Sequence, residues 1–113
     1  MYSIKRMDKK KYKNTSQQCG QGHTHQSKLE ATYCNQLAVL KKAGEIKDYN
    51  IQVKYEFIVN GIKITTHRID FEVINNFGNV ELHETKGART YDYVIKRRLY
   101  EACYPDIPFY EIR

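Results

Sequence analysis

Tryptophan is absent from this 113-residue chain, proline occurs twice and cysteine three times. No apolar run approaches the roughly 18 residues that a membrane-spanning helix requires, which excludes a span as a reading of the sequence. The opening residues, MYSIKRMDKKKYKN, are charged and lack the apolar centre of a secretory signal, so residence in the cytoplasm is expected. Cys19, Cys34 and Cys103 form an odd set without a CxxC pair. That argues against a disulfide framework and against a four-thiolate zinc site, and it agrees with a reducing compartment. Internal repeats and low-complexity tracts are missing too. A chain this short can bury one core, to which a dimer partner or bound nucleic acid can add stability.

Positive charge is what the sequence has in excess, and all of it lies at one end. Residues 1–28 carry seven lysines and arginines against one acid, Asp8, while the remaining residues carry twelve of each sign. A basic arm on a neutral, carboxylate-containing domain suits a polyanionic partner; a solubilising tail is the plainer alternative. Residues 1–26 show no sustained apolar period and read as an arm or irregular lead-in, with the domain running from 27 to 113.

Within that domain Leu29, Tyr33, Leu37 and Leu40 recur at helical spacing, predicting a helix over about Lys28–Ala43 closed by Gly44, with Ile46 as the hydrophobic contact of the cap. Ile51–Val59 alternates as a strand, Asn60-Gly61 is a hairpin turn signal, and Ile62–Ile74 continues as a second strand. Beyond the loop NNFGN, Val80–Lys86 reads as a third strand. A second helix is expected over about Tyr91–Ala102, with Val94, Ile95, Leu99 and Ala102 as its buried stripe. Pro105 and Pro108 frame a turn into a last strand, IPFYEI. The order is αβββαβ.

The chemistry-bearing residues concentrate on the second and third strands. Glu84 and Lys86, two apart, share a strand face, and a register that sets Asp70 opposite Glu84 brings two carboxylates and an ammonium together. With the backbone carbonyl of Thr85 these are hard oxygen ligands suited to Mg²⁺, the inventory of a metal-dependent phosphodiesterase in which Lys86 would orient a water or neutralise the transition state. Two carboxylates crowded together are costly without a cation. The ordinary alternative is a solvated strand face, for which Glu-x-Lys is a common chance match.

Asp70 followed by Glu84-Thr85-Lys86 on an αβββαβ core resembles the PD-(D/E)xK nuclease superfamily. The chain is most similar to small phage and prophage proteins of that superfamily, Holliday junction resolvase-like and long filed as a domain of unknown function. The matching segments are Lys11–Asn14, Ser27–Ala31, Lys42–Ile46, Asp70-Phe71 and Lys86–Lys96, which cover nearly the whole chain in order. Ile69 stands where the superfamily motif has proline, and the segment CGQGHTHQ departs from the family pattern, leaving the roles of His23 and His25 open.

The resemblance implies a restriction-endonuclease-like α/β fold with a mixed central sheet flanked by helices. It implies Asp70 and Glu84 as metal ligands, Lys86 as catalytic lysine, and Glu30 as an additional acid for a second metal or its water. Ser27-Lys28-Leu29-Glu30 is also a capping box, so Glu30 has a structural role to fill as well. The implied activity is Mg²⁺-dependent cleavage of DNA, with Mn²⁺ as substitute, by a homodimer acting on branched or duplex substrates. A non-catalytic nucleic-acid-binding accessory protein and a metal-dependent RNase are the other classes.

Lys9, Lys10, Lys11, Lys13, Arg89, Lys96 and Arg97 are candidates for phosphate contact, against the alternative of solvated faces. Among ten tyrosines, Tyr33, Tyr55 and Tyr100 are expected to pack with their hydroxyls satisfied. Cys19, His23 and His25 could bind zinc with Cys34, but their spacing fits no standard zinc pattern.

Overall fold

The computed structural model describes residues 17–25, 27–86 and 90–113. Lys9, Lys10, Lys11, Lys13 and Arg89 lie outside the described residues. A short antiparallel hairpin, β1 (Gln17–Gln18) and β2 (Thr24–His25), precedes helix α1 (Lys28–Lys42). Strands β3 (Asp48–Val59), β4 (Ile62–Ile74) and β5 (Val80–Thr85) follow, then α2 (Tyr91–Cys103) and β6 (Phe109–Ile112). The four long strands form one mixed sheet in the order β3-β4-β5-β6, antiparallel except for the β5–β6 pair. With a helix on either side this is the αβββαβ arrangement expected from the sequence. None of the helices among the described residues is long and apolar enough to cross a membrane.

Local signals account for most element ends. Ser27 caps α1, its hydroxyl accepting from the Glu30 N–H at 3.1 Å. At the other end Gly44, with φ +80°, makes a Schellman cap: its N–H donates to the Lys41 carbonyl, and the Glu45 N–H to the Leu40 carbonyl. Asn60 and Gly61 both take positive φ, the turn that matches the twist of a two-residue hairpin. In the NNFGN loop the Asn75 side chain accepts from the N–H groups of Phe77 and Asn79.

Two expectations need correction. Part of the lead-in is ordered structure, since residues 17–25 form the hairpin and Cys19 is buried in the core under α1. On α2 the expected stripe is displaced: Val94 and Ile95 are 37% and 40% exposed, and Ala102 is exposed. Tyr93 and Tyr100, two turns apart, are the buried positions. Aromatic area outweighs the aliphatic positions here, because the Tyr100 ring stacks edge-on against Phe57 at 4.7 Å and Tyr55 at 5.9 Å.

The core is in two parts. Cys34, Leu37, Phe71 and Val73 cluster with α1, with Tyr49 and Ile51 packed against them. Phe57, Ile69, Leu82 and Tyr100 cluster with α2, with Val53 and Tyr55 alongside. Strict strand alternation would put Ile51 with Val53, and Ile69 with Phe71, on one face. Their assignment to different cores means that the alternation slips in both strands, at Gln52 and at Asp70. Gln52 carries the slip in its backbone, with φ +52° in a strand interior, a conformation that costs a non-glycine residue about 1–3 kcal/mol. The register runs from the pair Ile51–Phe71 to the pair Val53–Ile69, so the two slipped residues face each other across the ladder.

Candidate functional site

Around this break the acidic side chains converge. The β4–β5 pairs run from Ile74–Val80 to Phe71–His83, and one further step in the same register sets Asp70 opposite Glu84. There side chains take over from the backbone ladder. The Asp70 N–H donates to Glu84 Oε1 at 2.9 Å, and the Thr85 N–H donates to Asp70 Oδ2 at 3.0 Å. Thr85 Oγ1 donates to the same carboxylate oxygen at 2.7 Å. Each carboxylate is thus pinned by the strand opposite, which fixes its position far more tightly than a freely rotating surface acid.

Glu30 enters from α1, buried to 4% exposure, while Glu84 is buried to 6%. Gln52 links the helix to the strands: its amide nitrogen donates to Glu30 Oε2 at 2.8 Å and reaches Asp70 Oδ1 at 3.5 Å. The left-handed backbone at Gln52 therefore has a visible use, since it places a neutral donor between two acids. On the far side His67 Nε2 lies 3.4 Å from Glu84 Oε2, and its Nδ1 lies 2.7 Å from the Tyr100 hydroxyl. Glu84 is thus held by the Asp70 backbone on one oxygen and by His67 on the other.

Electrostatics follow from the crowding. Burial, then Glu84, then Glu30 push the Asp70 carboxyl up to about 7, and the Thr85 hydrogen bonds only partly offset this. Burial followed by the Glu84 charge likewise raises the Tyr100 hydroxyl. A divalent cation between Asp70 and Glu84 would ease the conflict, and carboxylate oxygens suit a hard one; Glu30 is joined to Asp70 through Gln52, and the three carboxylates are not gathered into one ligand set among the described residues. Asp70 Oδ1, whose Gln52 contact is long, is the oxygen of that residue less committed to the protein.

Lys86 follows β5 directly and its Nζ sits 4.7 Å from the centroid of the Tyr93 ring on α2. Thr85 enters the site as a donor to Asp70 through N–H and hydroxyl. Arg97 stacks on Phe109 at 4.1 Å and lies 3.7 Å from Glu101, and Lys96 is half-buried beside it on α2. Tyr33, Tyr55 and Tyr100 find their partners in His83, Glu72 and His67. The sequence pattern does not single out Gln52, His67 or Tyr100 as members of the site. Gln52 stands at a polar position of an alternating strand, indistinguishable by pattern from Lys54 and Glu56, which are exposed.

Over residues 9–112 the chain matches the family described as Protein of unknown function (DUF1064), and it belongs to that family. No curated protein and no solved structure matches it.

Proposed function

We propose that this member of the DUF1064 family is a Mg²⁺-dependent endodeoxyribonuclease of the PD-(D/E)xK type, cytoplasmic and homodimeric, that hydrolyses DNA phosphodiester bonds. The observation that carries the reading is the convergence of Asp70, Glu84 and Glu30 from three elements, with the two strand carboxylates locked by backbone N–H groups. A solvated strand face needs none of this burial or mutual restraint. Asp70 and Glu84 would hold Mg²⁺, or Mn²⁺ in its place, with Glu30 as the additional acid and the Thr85 carbonyl as a further oxygen. Bound there, the cation supplies Lewis acidity toward a phosphate oxygen and toward a water molecule. Lys86, steadied on the Tyr93 ring, brings fixed positive charge to the phosphate as negative charge builds in the transition state.

Branched DNA such as a four-way junction is the proposed substrate, as the resemblance to Holliday junction resolvase-like proteins implies. Basic residues 1–28 supply the sequence-independent attraction to phosphate. The test is incubation of the purified chain with supercoiled plasmid, linear duplex, single strand, RNA and a four-way junction, in Mg²⁺ or EDTA. Mg²⁺-dependent cleavage fastest on the junction, and lost in Glu84→Gln with DNA binding retained, is expected. Binding without cleavage of any substrate would identify a non-catalytic accessory protein, and cleavage confined to RNA would make it an RNase.

A further inference from the structure

A second cluster of metal-ligating side chains, with Cys34 one helical turn beyond Glu30, lies at the junction of the β1–β2 hairpin and α1. Cys19 Sγ and Cys34 Sγ are 3.3 Å apart, and His23 Nδ1 is 3.3 Å from Cys34 Sγ. All three donor atoms fall within 4.8 Å of one another. Cys34 is fully buried and Cys19 nearly so, at 5% exposure, with Leu37 and Phe71 in the same cluster. We propose that Cys19, His23 and Cys34 form a structural Zn²⁺ site that clips the N-terminal hairpin to helix α1.

Three arguments support it. The first is donor chemistry: two sulfurs and an imidazole nitrogen select Zn²⁺ and similar borderline-soft ions over Mg²⁺. Binding releases the thiol protons to solvent, and the doubly positive ion then balances two thiolates, leaving a neutral unit suited to an apolar core. The second is distance. Bonds of about 2.3 Å to sulfur and about 2.0–2.1 Å to nitrogen, at tetrahedral angles, separate the ligand atoms by roughly 3.6–3.8 Å. The Cys19–Cys34 and His23–Cys34 pairs, each at 3.3 Å, need to open by only a few tenths of an ångström, the third pair lies within 4.8 Å, and a fourth position is left for another donor.

The third argument is the hairpin itself. Two strands of two residues each do not persist in water on their own account. The turn between them is shaped to bring Cys19 and His23 together: the Cys19 N–H donates to the His23 carbonyl, the Gly22 N–H to the Cys19 carbonyl, and Gly22 takes φ +86°. From the helix side Asn35 accepts the Gly20 N–H at 2.6 Å, and Cys34 follows Glu30 by one helical turn. An ion here would fix the hairpin against α1. The proposal stands whether or not the carboxylate cluster cuts DNA, because its readouts are metal content and spectroscopy.

The experiment is elemental analysis of the full chain, purified under reducing conditions and dialysed, followed by Co²⁺ substitution. About one Zn²⁺ per chain is expected, and the Co²⁺ form should show thiolate-to-metal charge transfer in the near ultraviolet with the intense visible bands of a tetrahedral site. Cys19→Ser and His23→Ala should each cut bound Zn²⁺ at least fivefold and erase or shift the Co²⁺ spectrum. Cys34→Ser is less informative because a fully buried position can fail to fold, so the test rests on the wild-type spectrum and the other two variants. Zinc-free protein that takes up Co²⁺ without the charge-transfer band would overturn the site. So would an intact mass lower by two hydrogens, which marks a Cys19–Cys34 disulfide.

Discussion

Replacing Asp70 by asparagine should make the metal-free protein more stable at neutral pH while disabling it. In the folded state the Asp70 carboxyl is raised from 3.8 to about 7 by burial and by Glu84 and Glu30. In the unfolded chain it ionises near its ordinary value. Between those two values the folded state keeps a proton that the unfolded state has released, so stability from this residue is full below about pH 4, falls as pH rises and is gone above about pH 7. The penalty is at most about 4 kcal/mol, at 1.36 kcal/mol per pH unit.

Asparagine escapes that penalty, and the value of about 7 already includes what the charged carboxylate gains from the Thr85 N–H and hydroxyl bonds, so losing that charge assistance costs nothing further. The net gain is therefore at most about 4 kcal/mol. For a domain of this size that corresponds to a rise in Tm of at most about 16 °C at pH 8 in EDTA. The gain should shrink steadily toward pH 4. Mg²⁺ at a hundred times its Kd should raise wild type by about 2.7 kcal/mol and leave the variant unmoved. Scanning calorimetry across pH, with and without Mg²⁺, measures all of this. A variant no more stable than wild type at pH 8, or a gain independent of pH, would refute the electrostatic conflict on which the proposed metal site depends.

Other perturbations separate the roles of the neighbours. Lys86→Ala should slow single-turnover cleavage at saturating DNA and Mg²⁺ by about 2.7–4 kcal/mol in barrier, roughly a hundred- to a thousandfold, with the Mg²⁺ dependence unchanged; a loss under threefold would remove it from the chemistry. Glu30→Gln keeps a side chain of the same shape, so if Glu30 serves the metal, activity or Mg²⁺ affinity falls while Tm holds. Wild-type cleavage in that variant would confine Glu30 to the helix end. Deleting residues 1–10 removes Lys5, Arg6, Lys9 and Lys10 against Asp8 and should weaken DNA binding and flatten its salt dependence, leaving turnover at saturating DNA intact. An unchanged salt slope would assign that segment to solubility.

Much of the architecture was legible because it rests on local signals. Gly44 and Asn60-Gly61 announce positive φ wherever they stand near an apolar period, and both do what their chemistry requires. The approach of Asp70 to Glu84 was legible on the condition that the second and third strands pair across the NNFGN loop, and the pairs from Ile74–Val80 to Phe71–His83 meet that condition. The N-terminal hairpin was hidden because two-residue strands carry no period. Tyr100 was expected to pack and does, whereas Tyr93 was hidden because tyrosine is apolar and polar at once and pattern reading favours Val94 and Ile95. Gln52 was hidden for a different reason: its role depends on a backbone slip that strand alternation assumes will not occur.

That slip divides the β3–β4 hairpin between two folding units. Residues 53–69, from Val53 around the turn to Ile69, draw their burial from α2, whereas the ends of the same strands draw theirs from α1. Contiguous segments with separate cores open as separate cooperative units, so amide hydrogen exchange should show two protection levels along single strands, with the step at Gln52 and Asp70. Anything bound by Glu30 on one unit and Glu84 on the other would couple them and erase the step. Residence of a ligand could then be read far from it, in the exchange of the Asn60-Gly61 turn and the strand residues that flank it.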